Sequence, residues 1–317
     1  MTDIIRGVNW NKPKDPYHVQ VWDQLVSQFW IPERINLAGD LKSWGTFTDA
    51  EKLLTMRVFA GLTVLDTLQG KTGAVSLLAD AEDDIEVAWL SNIVMMEQVH
   101  AKSYSNIFMT LSSTKEINEA FRWSEENEQL QFKAQTCNAF YEGDDPYKRK
   151  VASVLLESML FYSGFYLPIH WQSQGKLNNT ADMIKLIIRD EAVHGQAIGY
   201  TYQKALGQLS EKEQQEYRFF AYDFLEELYD NEVVYTQDLY DEVGLTEDVK
   251  KFIRFNANKA LMNLGYDPLY QTTGDDAPSP HILNGISLGA VTHDFFSATG
   301  AYAQARVESL SDDDFDW

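Results

Sequence analysis

The chain is 317 residues long, 44% hydrophobic and carries a formal charge of −22 at pH 7. It can therefore bury a sizeable core as one large domain or two ordinary ones, and it shows no basic stripe of the kind that nucleic acid or an anionic membrane demands. Its single cysteine, Cys137, excludes an internal disulfide framework and a cysteine metal cluster and fits a reducing compartment; its ordinary reading is a small buried residue. No apolar run approaches the roughly 18 residues of a membrane span, and the N-terminus MTDIIRGVNWNKPKD has no signal pattern. The expected location is cytoplasmic, with neither membrane nor nucleic acid as a partner.

The eight prolines fall at 13, 16, 32, 146, 168, 268, 278 and 280, and the long stretches between them read as helices, because proline interrupts helix interiors. Behind an N-terminal extension the first is 48–79, where Thr48, Asp49 and Glu51 suit an N-cap with an acidic first turn and apolar residues recur at helical intervals. Segments 83–112, 116–141, 147–176, 180–208, 211–242 and 246–264 repeat the pattern. Strand signals are weak, and neither βαβ alternation nor a short repeat is present. The expected fold class is all-α, a bundle of long helices, since helices of this length need neighbours against which to bury their apolar faces. After Gly265 the chain turns rich in Gly, Pro, Ser and Asp and loses helical periodicity, which predicts an irregular extension. The boundary is drawn so that 1–295 form the helical domain with its N-terminal extension and 296–317 a flexible tail. Its closing DDDFDW reads either as a solvated end or as a peptide that docks on a partner.

Two motifs carry chemistry. Glu97-Gln98-Val99-His100 is one Glu-x-x-His, and Glu191-Ala192-Val193-His194 is a second on another predicted helix. Three residues apart in a helix, carboxylate and imidazole lie about 60° apart around the axis and one turn along it, so both reach one ion. One such motif is commonly a surface pair. Two of them on two long helices fit the bundle recipe for a dinuclear carboxylate centre, which also needs one carboxylate from each of two further helices. Asp66 in FAGLTVLDTL and Glu157 in ASVLLESMLFY can supply them; each alone could sit at the edge of an apolar stripe, but buried without a partner it would be strongly destabilising. The joint set Asp66, Glu97, His100, Glu157, Glu191 and His194 offers hard oxygen ligands with one imidazole per ion, which suits two iron or two manganese ions better than tetrahedral zinc. Tyr104 lies one turn beyond His100. It is either a core tyrosine with its hydroxyl hydrogen-bonded, or a phenol close enough for an oxidised metal pair to take its electron and proton. Phe161, Phe165 and Ile187, at helical spacings beside Glu157 and Glu191, would be core and dry shell at once.

These motifs, LDTLQ around Asp66, MEQVHAKSYS around Glu97, His100 and Tyr104, LESMLFYSGF around Glu157, IIRDEAVHG around Glu191 and His194, and NANKALMNLG at 256–265, resemble the small, radical-generating subunit of class I ribonucleotide reductases, the class Ib branch most closely. The likeness covers nearly the whole chain. It implies a ferritin-like bundle that forms a homodimer, a tyrosyl radical on Tyr104, and an oxidising equivalent passed to a cysteine on a separate large subunit that reduces ribonucleotides. By position it implies that Asp190 orients His100 and links it to Trp30 of QFWIPE, a residue otherwise read as plain core. Tyr302 in GAYAQAR resembles the tail tyrosine that hands the equivalent on, and SDDDFDW resembles the docking peptide. A flavodoxin-like activase, supplying the oxidant when manganese is used, is implied in the same way. The filled ligand positions, with aspartate at 66, disfavour the metal-free branch. The rival readings of the same ligands are a di-iron oxygenase or desaturase, which would need an open substrate cavity but neither Trp30 nor a tail tyrosine, and a non-catalytic iron-storage bundle.

Overall fold

A computed structural model describes residues 6–287, and among these every regular element is helical. Helix α1, Pro16–Ser27, starts where Asp15 accepts a hydrogen bond from the Tyr17 amide and proline fills the first turn. A single turn, α2 (Leu41–Trp44), precedes α3 (Asp49–Leu68), which opens on a reciprocal capping box between Thr48 and Glu51. Without a break, α3 runs through a π-helical turn, Gln69–Gly73, into α4 (Ala74–Leu78). Helix α5 (Asp84–Leu111) is capped by Asp83. Then come α6 (Thr114–Glu126), α7 (Glu128–Tyr141) and α8 (Pro146–Leu155), and a second π turn, Leu156–Leu160, leads into α9 (Tyr162–Ser173). The chain continues through α10 (Asn178–Leu206), α11 (Glu211–Tyr240), α12 (Thr246–Asn263) and α13 (Pro280–Ser287).

The all-α expectation holds, and three details of it do not. The single helix expected over 116–141 is two helices, because Asn127 leaves the helical conformation and its side chain accepts from the Leu130 amide to cap α7. The segments 48–79 and 147–176 are each interrupted by a π turn, at Gln69–Gly73 and at Leu156–Leu160. The stretch after Gly265, read as irregular, contains α13, whose fully buried Ile282 packs it on α9; Gly285 permits the close approach, since a Cβ there would come 2.5 Å from Ile169 Cγ2. Sequence periodicity also gave no sign of α1, which packs along α5. The proposed boundary at 295, the tail 296–317 and Tyr302 lie outside the described residues.

Helices α3 and α5 pack along each other, as do α8 and α10, and between them lies the deepest part of the core. The run Pro146–Ser173 is long and apolar enough by length and composition to cross a membrane, yet its apolar window is wholly buried inside the fold. It is the bundle's central rod. Phe161, Phe165 and Ile187 are fully buried there, each side chain contributing roughly 1.5–3 kcal/mol by leaving water.

A second buried polar feature fastens α7 to α11. The ammonium of Lys133 bonds the Glu232 carboxylate, and both are almost inaccessible. The ammonium also sits 3.8 Å from the centroid of the Tyr235 ring. Cys137, one turn further along α7, is fully buried, and burial pushes its thiol up to about 12, so it is a poor nucleophile at neutral pH. Replacing Glu232 with Leu would leave the Lys133 charge buried alone, and about 3–5 kcal/mol of stability should be lost. That loss should register as a lower denaturation midpoint, largely restored when Lys133→Met is added.

Candidate metal centre

Four helical segments deliver the six candidate ligands. Asp66 comes from α3, Glu97 and His100 from α5, Glu157 from the π turn before α9, and Glu191 and His194 from α10. All six have no exposed surface. Their ligand atoms form two overlapping groups, each within 4.8 Å: Asp66, Glu97, His100 and Glu191 in one, Glu97, Glu157, Glu191 and His194 in the other. Glu97 and Glu191 belong to both groups, and Asp66 and His100 complete one while Glu157 and His194 complete the other.

Both imidazoles turn Nδ1 inward. His100 Nδ1 lies 2.9 Å from Glu191 Oε1 and 3.4 Å from Asp66 Oδ1, and His194 Nδ1 lies 2.8 Å from Glu191 Oε2 and 3.1 Å from Glu97 Oε1. The rings face each other with centroids 6.0 Å apart.

These residues fit a pair of cations. Both oxygens of Asp66 and of Glu97, Glu157 Oε2, Glu191 Oε1 and His100 Nδ1 are buried without a hydrogen-bond partner, an arrangement that would be costly unless something else satisfies them. Two divalent cations would neutralise the four carboxylates, leaving the imidazoles uncharged and free to ligate. The electrostatics of the protein alone point the same way. Burial, reinforced by the neighbouring carboxylates, pushes Asp66 and Glu157 well above the usual carboxylate range. Burial also acts on Glu191, but His100 and His194 outweigh it and hold that carboxyl low. On the two imidazoles burial opposes charge, and Glu191 with the other surrounding carboxylates reverses it, so both are raised. Protons thus do the work that cations would do.

Behind His100, its Nε2 lies 3.2 Å from Asp190 Oδ2, and Trp30 Nε1 donates to the same oxygen at 2.7 Å. Accepting from Nε2 assigns the imidazole proton there and leaves Nδ1 as a ligand. The other oxygen, Asp190 Oδ1, accepts from the Arg189 guanidinium at 3.2 Å. The indole of Trp30 also stacks on the His100 ring, centroids 6.0 Å apart. Tyr104 is fully buried, and its hydroxyl makes no well-formed hydrogen bond but feels the Asp66 carboxylate. Burial, then the charge of Asp66, pushes its phenol well above 10. Phe59 stacks against its ring, centroids 5.9 Å apart.

The structure also brings in a residue that sequence reasoning passed over. Gln69, fully buried, donates from Nε2 to Glu157 Oε1 at 2.6 Å. Its position three residues after Asp66 places it on the same helical face, but its neighbours Gly70, Lys71 and Thr72 mark no apolar run. Arg189, the partner of Asp190, was likewise not singled out. A cavity of about 650 Å³ lined in part by Tyr162, Val193, Asn256 and Lys259 lies over α10 and α12 and includes none of the six candidate ligands.

Residues 7–278 match the family described as ribonucleotide reductase, small chain. The chain is 57% identical to the ribonucleoside-diphosphate reductase subunit beta nrdF2 of Mycobacterium tuberculosis, covering 100% of this chain and 98% of the relative. It is 52% identical to the ribonucleoside-diphosphate reductase 2 subunit beta of Escherichia coli K12, covering 99% and 98%. Among solved structures, the dimanganese(II)-NrdF of Streptococcus sanguinis superposes with a TM-score of 0.87 at 48% identity, over 89% of this chain and 100% of that one.

The raised groups give a sign to metal uptake. Burial and the neighbouring carboxylates favour the protonated forms of Asp66, Glu157, His100 and His194 when no cation is bound, and ligation requires such protons to leave. Manganese(II) binding at pH 7 should therefore release more than about one proton per chain, and affinity should rise about tenfold or more per pH unit through this range. Calorimetric titrations in buffers of different ionisation enthalpy measure the release directly; uptake without it would contradict the assignment.

Proposed function

The chain belongs to the ribonucleotide reductase small-chain family, and we propose that it acts there as the class Ib radical-generating subunit of ribonucleoside-diphosphate reductase, with two manganese or two iron ions held by Asp66, Glu97, His100, Glu157, Glu191 and His194. The observation that carries this reading is the convergence of those six side chains, from four helical segments, on two adjacent ligand positions in a dry core. Family membership removes the support for the oxygenase and storage alternatives.

When bound, the metal pair supplies a one-electron oxidant for a phenol. What the chain's own residues contribute follows from their surroundings. Burial keeps Tyr104 protonated at rest, so loss of its electron must be accompanied by loss of its proton. The Asp66 carboxylate, whose charge acts on the phenol and whose oxygens have no hydrogen-bond partner, is the acceptor best suited to receive it. Phe59 and the surrounding apolar core exclude water and external reductants from the resulting neutral radical. Asp190 holds His100 on one side and the Trp30 indole on the other, which supports a hydrogen-bonded route from the centre toward the N-terminal extension. Tyr302 and the tail 296–317 would continue that route to a cysteine of the large subunit, where ribonucleotides are reduced. Cys137 cannot supply that chemistry, being buried with its thiol pushed up to about 12.

Several finer assignments belong to the same proposal. A helical domain to 295 and a docking tail beyond it suit a subunit that must reach its partner. A homodimer is supported by Val87, Met95 and Met109, which leave large apolar surface exposed along one side of α5. The activase partner and a cytoplasmic location complete the reading, and the metal choice between iron and manganese is open to both, since the donors are the same hard oxygens and imidazoles.

The test is electron paramagnetic resonance on protein reconstituted with each metal. Tyr104→Phe should keep its metal content and lose the radical signal; a signal surviving unchanged would reassign the radical. Trp30→Phe should keep the radical and lose turnover with the large subunit. Asp190→Asn should lower metal affinity or activity by about 10–100-fold, because it removes the charge that fixes the His100 tautomer.

A further inference from the structure

We propose that Gln69 is a positioning residue that sets the second cation position, the one built on Glu157 and His194, separately from the first. The inference rests on the metal-centre reading above and deepens it. Gln69 sits where α3 passes into its π turn, with no exposed surface. Its Nε2 donates to Glu157 Oε1 at 2.6 Å and to Ser153 Oγ at 2.7 Å, and its Oε1 accepts from the Tyr141 hydroxyl at 2.9 Å. Those three bonds favour this direction of the amide: reversed, its oxygen would face the oxygen of an ionised Glu157 and the Tyr141 hydroxyl would lose the acceptor it donates to.

The consequence is a difference among the carboxylates. Asp66 and Glu97 each keep both oxygens free of hydrogen bonds, whereas Glu157 keeps only Oε2, which lies 3.7 Å from His194 Nδ1. Glu157 is thereby offered to a cation through one oxygen, with the other committed to Gln69. The backbone is shaped around this clamp. The Gln69–Glu157 bond joins the two π turns of the bundle, and π turns inserted in helices recur at functional sites. Gly73 closes the first of them, and a Cβ there would come 2.0 Å from Gln69 Oε1 and 2.9 Å from Tyr141 Cε2. Any larger residue at 73 would push the amide off Glu157. One short segment therefore serves both positions: Asp66 as a ligand to the first, Gln69 through Glu157 to the second.

The experiment is a manganese(II) titration of the full-length chain, followed by calorimetry and electron paramagnetic resonance. The wild-type chain should take up two ions and show the signal of a spin-coupled pair. Gln69→Met, close in volume, should keep one ion at nearly wild-type affinity and bind the other about 10–100-fold more weakly, the usual effect of removing an outer partner of a ligand; substoichiometric additions should then give the six-line spectrum of an isolated ion. Tyr141→Phe, which keeps the amide but frees its direction, should show the same selective loss in smaller measure, and it decides the matter if Gln69→Met does not fold. Two ions at wild-type affinity in Gln69→Met, or equal weakening of both, would overturn the proposal and leave the metal-centre reading standing. A wild-type chain that takes up no pair overturns both.

Discussion

Four carboxylates confined to a core that water does not reach would, if all were ionised, repel one another far more strongly than on a surface. The rest of the molecule is arranged around that fact. With only protein present, burial and mutual repulsion favour protons on Asp66 and Glu157, and the surrounding carboxylates favour positive charge on the two imidazoles. A pair of divalent cations performs the same neutralisation and lets both imidazoles return to the uncharged form in which they ligate. Folding and metal binding would thus be linked through one set of protons.

The way four helices meet that demand differs between two kinds. Helices α5 and α10, each with a Glu-x-x-His pair, are regular throughout, because three-residue spacing already points both ligands the same way. The two segments that give a single carboxylate are the ones interrupted by π turns. An extra residue in one turn changes the phase of the helix, so the apolar faces before and after it can both meet the core while one polar side chain is aimed at the centre. Glu157 lies within such a turn, and Asp66 one turn before the other. Among the described residues, both π turns fall in these two segments.

This division explains what the sequence could and could not convey. Glu97 with His100 and Glu191 with His194 were legible from period alone, and Asp66 and Glu157 from the improbability of a lone carboxylate among leucines. The all-α fold followed from the same periodicity. The π turns were not legible, because inserting one residue into a turn changes neither composition nor hydrophobic content. Nor was the break at Asn127, where capping by a single side chain ends one helix and begins the next. Gln69 escaped for another reason: a neutral amide next to Gly70, Lys71 and Thr72 looks like the polar end of a helix, although it is as deeply buried as the ligands. The link from Trp30 to Asp190 spans 160 residues of sequence, so no local pattern encodes it, and only resemblance to a known family brought it forward.

The surroundings of the two aromatic residues nearest the centre differ in a way that bears on direction. Tyr104 is fully buried with Phe59 on its ring face and the Asp66 charge acting on its hydroxyl, so its phenol is out of reach of solvent. Trp30 is the reverse: its N–H is bonded to Asp190, which is bonded in turn to His100 and Arg189. A dry pocket favours storage, since return of a proton and electron is slow where water is excluded. A continuous hydrogen-bonded chain favours transfer, since charge moving along it is stabilised at each step by groups already in position. In the proposed function the two tasks would fall to different residues beside the same cluster, so that one centre could hold its oxidising equivalent and still release it toward the large subunit. The Lys133–Glu232 pair, fully buried between α7 and α11, stands outside the ligand set and pairs its own charges. It can therefore secure the bundle without drawing charge from the centre.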